Sequence, residues 1–236
     1  MGKKIGILTI CLGKYDIFFE DFHYSFEKNF LKNHEKTYFL FTDSEIKELS
    51  NVSKITEEKK GWPFDTMMRF HMFNKISEKL KNFDYLFFFN INMLAVKEVG
   101  EEILPTKENN FLMGVNHPGF YNKEKAEFPY ERNLKSQFFI SPEKGNHYFQ
   151  GCFNGGTAES FLEMSKILAE KADIDMKNNI IPIWHDESML NWYYKDKNPL
   201  LLPSDYAYPE TWNLPFKKII VQRDKQKYGG HEYLRS

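Results

Sequence analysis

Short apolar runs alternate with longer stretches of helical period along this chain. Residues 4–12 (KIGILTICL) are apolar and β-branched almost without interruption and close at Gly13, the pattern of a strand buried on both faces at a sheet centre. A helix is expected to follow over residues 15–31, and TYFLFTD (37–43) reads as a second buried strand that turns at Asp43-Ser44. Two such units in succession predict an α/β protein with a sheet of the nucleotide-binding kind. Within 65–81, Phe73, Ile76 and Leu80 recur at helical spacing, with Lys75, Glu78 and Lys79 on other faces. That helix leads into YLFFFNINM (85–93), the most strand-like run, whose apolar character stops at Asn90. The carboxyl end of a central α/β strand is where ligands sit, so a polar residue there is a candidate contact.

Residues 115–156 break the pattern: aromatics, Gly, Pro and charges interleave without a lasting period, which predicts a long functional excursion from the sheet with some strand in it. Ala158, Phe161, Leu162, Ser165, Leu168, Ala169 and Ala172 then trace a helical stripe, and another helix is expected over about 185–195. The stretch after Gln222 (RDKQKYGGHEYLRS) is polar and basic, carries a Gly pair and reads as a mobile tail.

Composition narrows the function. With 32 Lys+Arg against 33 Asp+Glu, the formal charge of -1 supplies no global field to hold nucleic acid or an anionic membrane. The aromatic share of 17% suits a wide core and also sugar-binding walls. Cys11 and Cys152 are far apart and lack metal-ligand spacing, which fits a reducing compartment and argues against zinc or a disulfide scaffold. The basic, then apolar start MGKKIGILTICLG fails as a signal peptide because its apolar run is short, broken by Gly6, and followed by the acidic, aromatic YDIFFEDF. No run reaches the ~18 apolar residues of a transmembrane helix. The expectation is a cytoplasmic protein without a membrane span.

Five motifs carry a family resemblance. DYLFFFNINM resembles the strand ending in Asp-x-Asp of nucleotide-sugar glycosyltransferases with the GT-A fold, with both aspartates replaced, by Asn90 and Asn92. NHPGFYN (116–122), FPYERNLKSQFF (128–139), YFQGCFNGGT (148–157) and WHDESMLNWYY (184–194) stand in the order and spacing of glycosyltransferase family 6. That family contains the histo-blood-group A and B transferases, the α1,3-galactosyltransferase and Forssman synthase. The resemblance covers nearly the whole chain and implies a GT-A α/β fold, a Rossmann-like mixed sheet flanked by helices. It implies one catalytic domain over 1–222, donor-binding over about 1–95 and acceptor-binding and catalytic over about 96–222, with a flexible tail, 223–236, closing over UDP. The Asn-x-Asn exchange and the missing anchor and stem resemble the family's bacterial, metal-independent branch.

The implied activity is retaining α1,3 transfer of GalNAc from UDP-GalNAc to the galactose of a Fuc-α1,2-Gal acceptor, with no metal and no other cofactor. UDP-galactose as donor is the near alternative; a non-catalytic glycan-binding protein and a nucleotide-sugar hydrolase are the alternatives from other classes. Hard cations want anionic oxygens, and Asn90 and Asn92 with Ile91 between them offer neutral amides that suit ribose or phosphate. Without the resemblance, the same triplet reads as a strand-end turn.

Further roles also come from the resemblance. Tyr15 matches a uracil-stacking tyrosine, Ile10, Cys11 and Leu12 the stretch beside the base, and Trp62 a pocket tryptophan; on their own Tyr15 and Trp62 read as core aromatics. Arg69 matches an arginine near the donor diphosphate, and Arg235, with His231 before it, matches the tail that folds over UDP. A family lysine six residues before that arginine falls on Gly229, which leaves Lys225 or Lys227 to substitute. Glu187 is the implied catalytic carboxylate, Asp186 binds donor-sugar hydroxyls, and His117, Trp184 and His185 face the acceptor. Taken alone, Asp186 and Glu187 read as an acidic helix start. Tyr130, Glu131 and Arg132 match a YER motif in which Arg132 organises the site through ion pairs. Gln150 and Cys152, with Gly151 between them, occupy the positions that tune the donor's C2 substituent. Cys152 is larger than Gly or Ala and speaks for galactose, whereas the bacterial branch speaks for GalNAc, the reading adopted.

Overall fold

The computed structural model describes residues 2–236. Strand β1 (Lys4–Cys11) leads through a 3-10 turn, Gly13–Phe18, into helix α1 (Phe19–Asn29). The single helix expected over 15–31 is thus a turn plus a shorter helix, with Phe18, Phe19, Phe22 and Phe26 buried. Strand β2 (Glu35–Thr42) is followed by a strand the hydrophobic pattern missed, β3 (Val52–Thr56), because an edge strand with half-exposed side chains has no apolar run to show.

The helix expected over 65–81 is three short ones, α2 (Phe64–Met67), α3 (Arg69–Lys75) and α4 (Ser77–Leu80), separated where Met68 and Ile76 leave helical geometry. Met67, Phe70, Met72, Phe73 and Leu80 are all buried there, a set that one straight helix would spread over more than half its circumference. Breaking the helix lets every one of them reach the core.

The strand expected over 85–93 is likewise two, β4 (Tyr85–Phe89) and β5 (Met93–Ala95). Asn90 N–H donates to the Cys152 carbonyl at 2.9 Å, and its own carbonyl accepts from Met93 N–H at 3.1 Å, so a turn forms where the apolar run stops. Strands β6 (Leu112–Asn116) and β7 (Phe149–Thr157) bound the excursion, which holds only a 3-10 turn at Lys125–Glu127 and a satellite core of Phe128, Tyr130, Ile140 and Tyr148. Helix α5 (Ala158–Lys177) starts at Thr157, whose side chain caps Ser160 N–H. Helix α6 (Asp186–Tyr194), the strands β8 (Leu200–Leu202), β9 (Tyr208–Pro209) and β10 (Ile220–Gln222), and helix α7 (Gly230–Leu234) complete the chain.

Seven strands form one mixed sheet in the order β3-β2-β1-β4-β7-β6-β8, parallel from β3 to β4, with β7 antiparallel to both its neighbours. Helix α1 packs on one face and α3 and α5 on the other, while β5, β10 and β9 make a second sheet of three strands. Gly155 lies opposite Phe87 in the β4–β7 pairing, where a Cβ would come within 2.2 Å of the Phe87 ring. The GlyGly of FNGGT is therefore a packing requirement.

The segment read as a mobile tail is folded. Arg223 pairs with Asp21 at 2.8 Å and donates to the Phe18 carbonyl at 3.0 Å, a 3-10 turn spans Lys225–Tyr228, and Leu234 of α7 is fully buried. Its polar composition disguised the few residues that anchor it. Among the described residues no helix is long and apolar enough to cross a membrane.

Candidate active site

The carboxyl ends of β1 and β4 open into a cleft of about 300 Å³. Ile10 lines it from β1, Leu12 from just beyond that strand, Tyr15 from the turn that follows, and Asn90, Ile91 and Asn92 from the turn after β4. Trp62 and Arg69 enter from the α2–α3 region, Gln150, Gly151 and Cys152 from the start of β7, and Trp184, His185, Asp186 and Glu187 from the start of α6. The tail closes the cleft with Lys225, His231 and Arg235.

A strained turn aims the two carboxylates. His185 sits at φ 52°, ψ −121°, a conformation costly for a residue with a Cβ, and Ser188 Oγ holds the turn by accepting Trp184 N–H at 3.0 Å. This explains the serine of the WHDES motif. Asp186 and Glu187 consequently begin α6 pointing at β7 rather than at water. Asp186 pairs with Arg69 at 2.8 Å, and Arg69 also donates to the Gly151 carbonyl at 2.9 Å. Gly151 N–H donates to Glu187 Oε2 at 2.8 Å. The backbone of one residue, Gly151, thus fixes Glu187 directly and Asp186 through Arg69, and a Cβ on Gly151 would lie 2.7 Å from Asp186 Oδ2. Arg69, expected beside a diphosphate, lies at the cleft wall over the Phe88 ring and is engaged by Asp186 and by the backbone carbonyls of Thr66 and Gly151.

Burial sets the titration of these acids. It pushes Asp186 up to about 6, with Arg69 opposing, and Glu187 up to about 7, with the Gly151 N–H opposing and the Asp186 charge adding. The cationic side responds in the other direction: burial and the nearby Arg235 push Lys225 down to about 8.

Aromatics hold the tail in place. The Arg235 guanidinium stacks 3.8 Å over the Trp62 ring, which lies edge-on against His185 at 4.6 Å, and Lys59 Nζ donates to the Arg235 carbonyl at 2.8 Å. Lys225 Nζ lies 5.3 Å from the Tyr15 ring centre. Of the two lysines weighed as substitutes at the diphosphate, Lys225 lines the cleft and Lys227 pairs with Glu210 at 2.7 Å outside it.

Of the residues expected to touch donor or acceptor, Cys11 and His117 do not line the cleft, nor do Tyr130, Glu131 and Arg132 of the YER motif. Cys11 alternates away from Ile10 and Leu12 into the core, where burial pushes its thiol up. His117 turns Nδ1 to Gly119 N–H at 3.0 Å and packs on Phe120 and Tyr148, and burial pushes it down to about 4. Arg132 donates to the Ile140 carbonyl, and the ion pair expected of it is absent among the described residues. Lys59, Asp65, Thr66 and Gln222 line the cleft and went unnoticed. Gln222 ends a three-residue strand too short for periodicity to mark, and the other three sit among loops and short helices where no spacing distinguishes them.

The turn after β4 offers neutral amides where a hard divalent cation wants anionic oxygens. Asn92 Nδ2 donates to the Arg223 carbonyl and Arg223 N–H donates to the Asn92 carbonyl, both at 2.9 Å, so Asn92 pins the tail to the turn after β4. An aspartate there would face a carbonyl with two acceptors. The cleft's carboxylates are also engaged: Asp186 by Arg69, Glu187 by Gly151, and Asp65 by Lys60 N–H at 2.6 Å.

A mixed sheet whose central strand ends in a cleft, with a buried and a half-buried carboxylate side by side on one wall and a cationic tail on another, is the arrangement of a GT-A-like glycosyltransferase. The glycosyltransferase family 6 signature matches residues 2–233, and the chain belongs to that family. It is 38% identical over 226 residues to the O-antigen biosynthesis glycosyltransferase WbnI of Escherichia coli, covering 94% of this chain and 95% of that protein. It is 30% identical over 229 residues to rat histo-blood group ABO system transferase 1 and 29% over 234 residues to chicken globoside alpha-1,3-N-acetylgalactosaminyltransferase 1. Those two matches cover 91% and 94% of this chain but only 64% and 66% of the relatives' lengths. The protein is a hexosyltransferase.

Proposed function

We propose that the enzyme transfers GalNAc from UDP-GalNAc in α1,3 linkage to the galactose of a Fuc-α1,2-Gal acceptor, with retention and without a divalent metal. The observation that carries this reading is Glu187, a half-buried carboxylate on the cleft wall held by Gly151 N–H beside the two residues that would meet the donor's C2 group. In this reading Tyr15 stacks on uracil, and Asn90 meets ribose or phosphate. Lys225, Arg235 and His231 face the diphosphate in place of a metal. Fixed cations in a dry cleft stabilise the departing charge without reorganising.

As the C1–O bond to UDP breaks, positive charge grows at the anomeric carbon and the Glu187 carboxylate meets it from the opposite face. The acceptor 3-hydroxyl then forms the new bond on the face UDP left, and its proton passes to the leaving diphosphate. Covalent capture by Glu187 and a transient ion pair both retain configuration. Names of relatives support the donor and linkage: the chicken protein is an alpha-1,3-N-acetylgalactosaminyltransferase, and the rat protein is an ABO transferase.

The test supplies UDP-GalNAc or UDP-Gal with a Fuc-α1,2-Gal disaccharide and reads the linkage by NMR. The expected product is an α1,3-linked GalNAc. Transfer of galactose alone would overturn the donor, and a β linkage would overturn retention.

A further inference from the structure

Gln150 is half-buried in the cleft wall, and its Oε1 is buried with no hydrogen-bond partner. Its Nε2 donates to Gln222 Oε1 at 3.4 Å. Gln222 is itself held from behind, because its backbone closes β10 and its carbonyl accepts Glu210 N–H at 2.9 Å. The Gln222 side chain also lies beside the Cys152 thiol and lines the cleft. A side-chain amide has one accepting and one donating end, so whatever takes the N–H of Gln150 decides that its carbonyl is the end left over. A buried carbonyl without a donor is costly, and a ligand that supplies one removes the cost.

We propose that Gln222 is a positioning residue for donor-sugar choice: by accepting the Gln150 amide it presents Gln150 Oε1 to the N–H of an N-acetylated sugar. This rests on the donor reading above. The discrimination follows from the chemistry of the two C2 substituents. A 2-hydroxyl both donates and accepts, so it meets either end of the Gln150 amide equally well. An acetamido group carries only a donor, its N–H, at the atom bonded to C2, and its accepting carbonyl lies farther out on the acetyl arm, so a Gln150 amide placed against that nitrogen needs its carbonyl end inward. Freeing Gln150 to turn its NH2 inward therefore penalises GalNAc and leaves Gal indifferent.

The experiment measures kcat/KM for UDP-GalNAc and UDP-Gal with a fixed acceptor in the wild type, Gln222→Met, Gln150→Met and the double variant. Gln222→Met keeps side-chain length and removes the accepting oxygen. It should lower the UDP-GalNAc to UDP-Gal ratio about fivefold to tenfold, the scale of one specific hydrogen bond in a binding site. Thermal stabilisation by UDP alone should stay the same. If Gln222 acts through Gln150, the double variant should match Gln150→Met, and additive effects would overturn the assignment. Gln222→Glu keeps an acceptor and should keep the ratio, since any effect of its charge on UDP is common to both donors. A wild type that uses both donors while Gln222→Met leaves the ratio unchanged sinks the assignment alone. A wild type that uses only UDP-Gal, or neither donor, sinks it together with the donor reading.

Discussion

Glu187 lies half-buried on the cleft wall with a backbone N–H at 2.8 Å, and burial, with the Asp186 charge adding to it, outweighs that hydrogen bond and raises its carboxyl to about 7. The raised value fixes the sign of the pH dependence. In the proposed mechanism the working form is the carboxylate, so kcat/KM should climb with pH through about 7, as a joint titration of Glu187 with the Asp186 charge beside it. Lys225, lowered to about 8, must keep its proton to meet a diphosphate, so the rate should fall again as pH passes that value. A narrow bell is expected in the free-enzyme profile, and Lys225→Met should lower kcat/KM and remove its alkaline limb; a limb that persists would assign it elsewhere. Glu187→Gln keeps an acceptor for Gly151 N–H and removes the charge, so kcat should drop ~10²–10³-fold while donor affinity changes little. Asp186→Asn is the comparison. It weakens the Arg69 pair and should alter donor KM as well as rate. Near-normal kcat in Glu187→Gln would return that residue to the part of an acidic helix start.

At the scale of elements, the tail is built from two unequal parts. Arg223 belongs to the body of the fold through Asp21, the Phe18 carbonyl and Asn92, whereas residues 225–236 lean on the cleft through Lys59, Trp62 and Tyr15. Removing 225–236 also takes Leu234 and Tyr228 off the core and should therefore lower the melting temperature by several degrees while the shortened chain still unfolds cooperatively. Stabilisation by UDP should disappear and transfer should fall by at least ~10-fold, because the fixed cations leave with the segment. Calorimetry with and without UDP checks both halves, and full activity in the shortened chain would take the tail out of the mechanism.

For the whole molecule, the donor set of the cleft predicts that transfer persists in excess EDTA and gains little from Mn²⁺. Activity that collapses on chelation and returns with metal would show that the neutral amides of Asn90 and Asn92 hold an ion after all. The sequence by itself determined the alternation of β1, β2 and β4 with helices, because strands buried on both faces must be continuous apolar runs. It also determined the family, because the motifs around Asn90, Gly151 and Glu187 survive as contiguous words. Tertiary structure alone decided the rest. The edge strand β3 has no apolar signature. The breaks at Met68 and Ile76 exist only because more apolar residues need the core than one helix stripe can deliver. The ordered tail depends on Arg223 meeting Asp21 across the chain, and Arg69 at the cleft wall is paired with Asp186 because β7 brings the Gly151 carbonyl to it. Each is a contact between segments far apart in sequence, and local pattern carries no record of which distant partner will satisfy a charge or cover an apolar side chain.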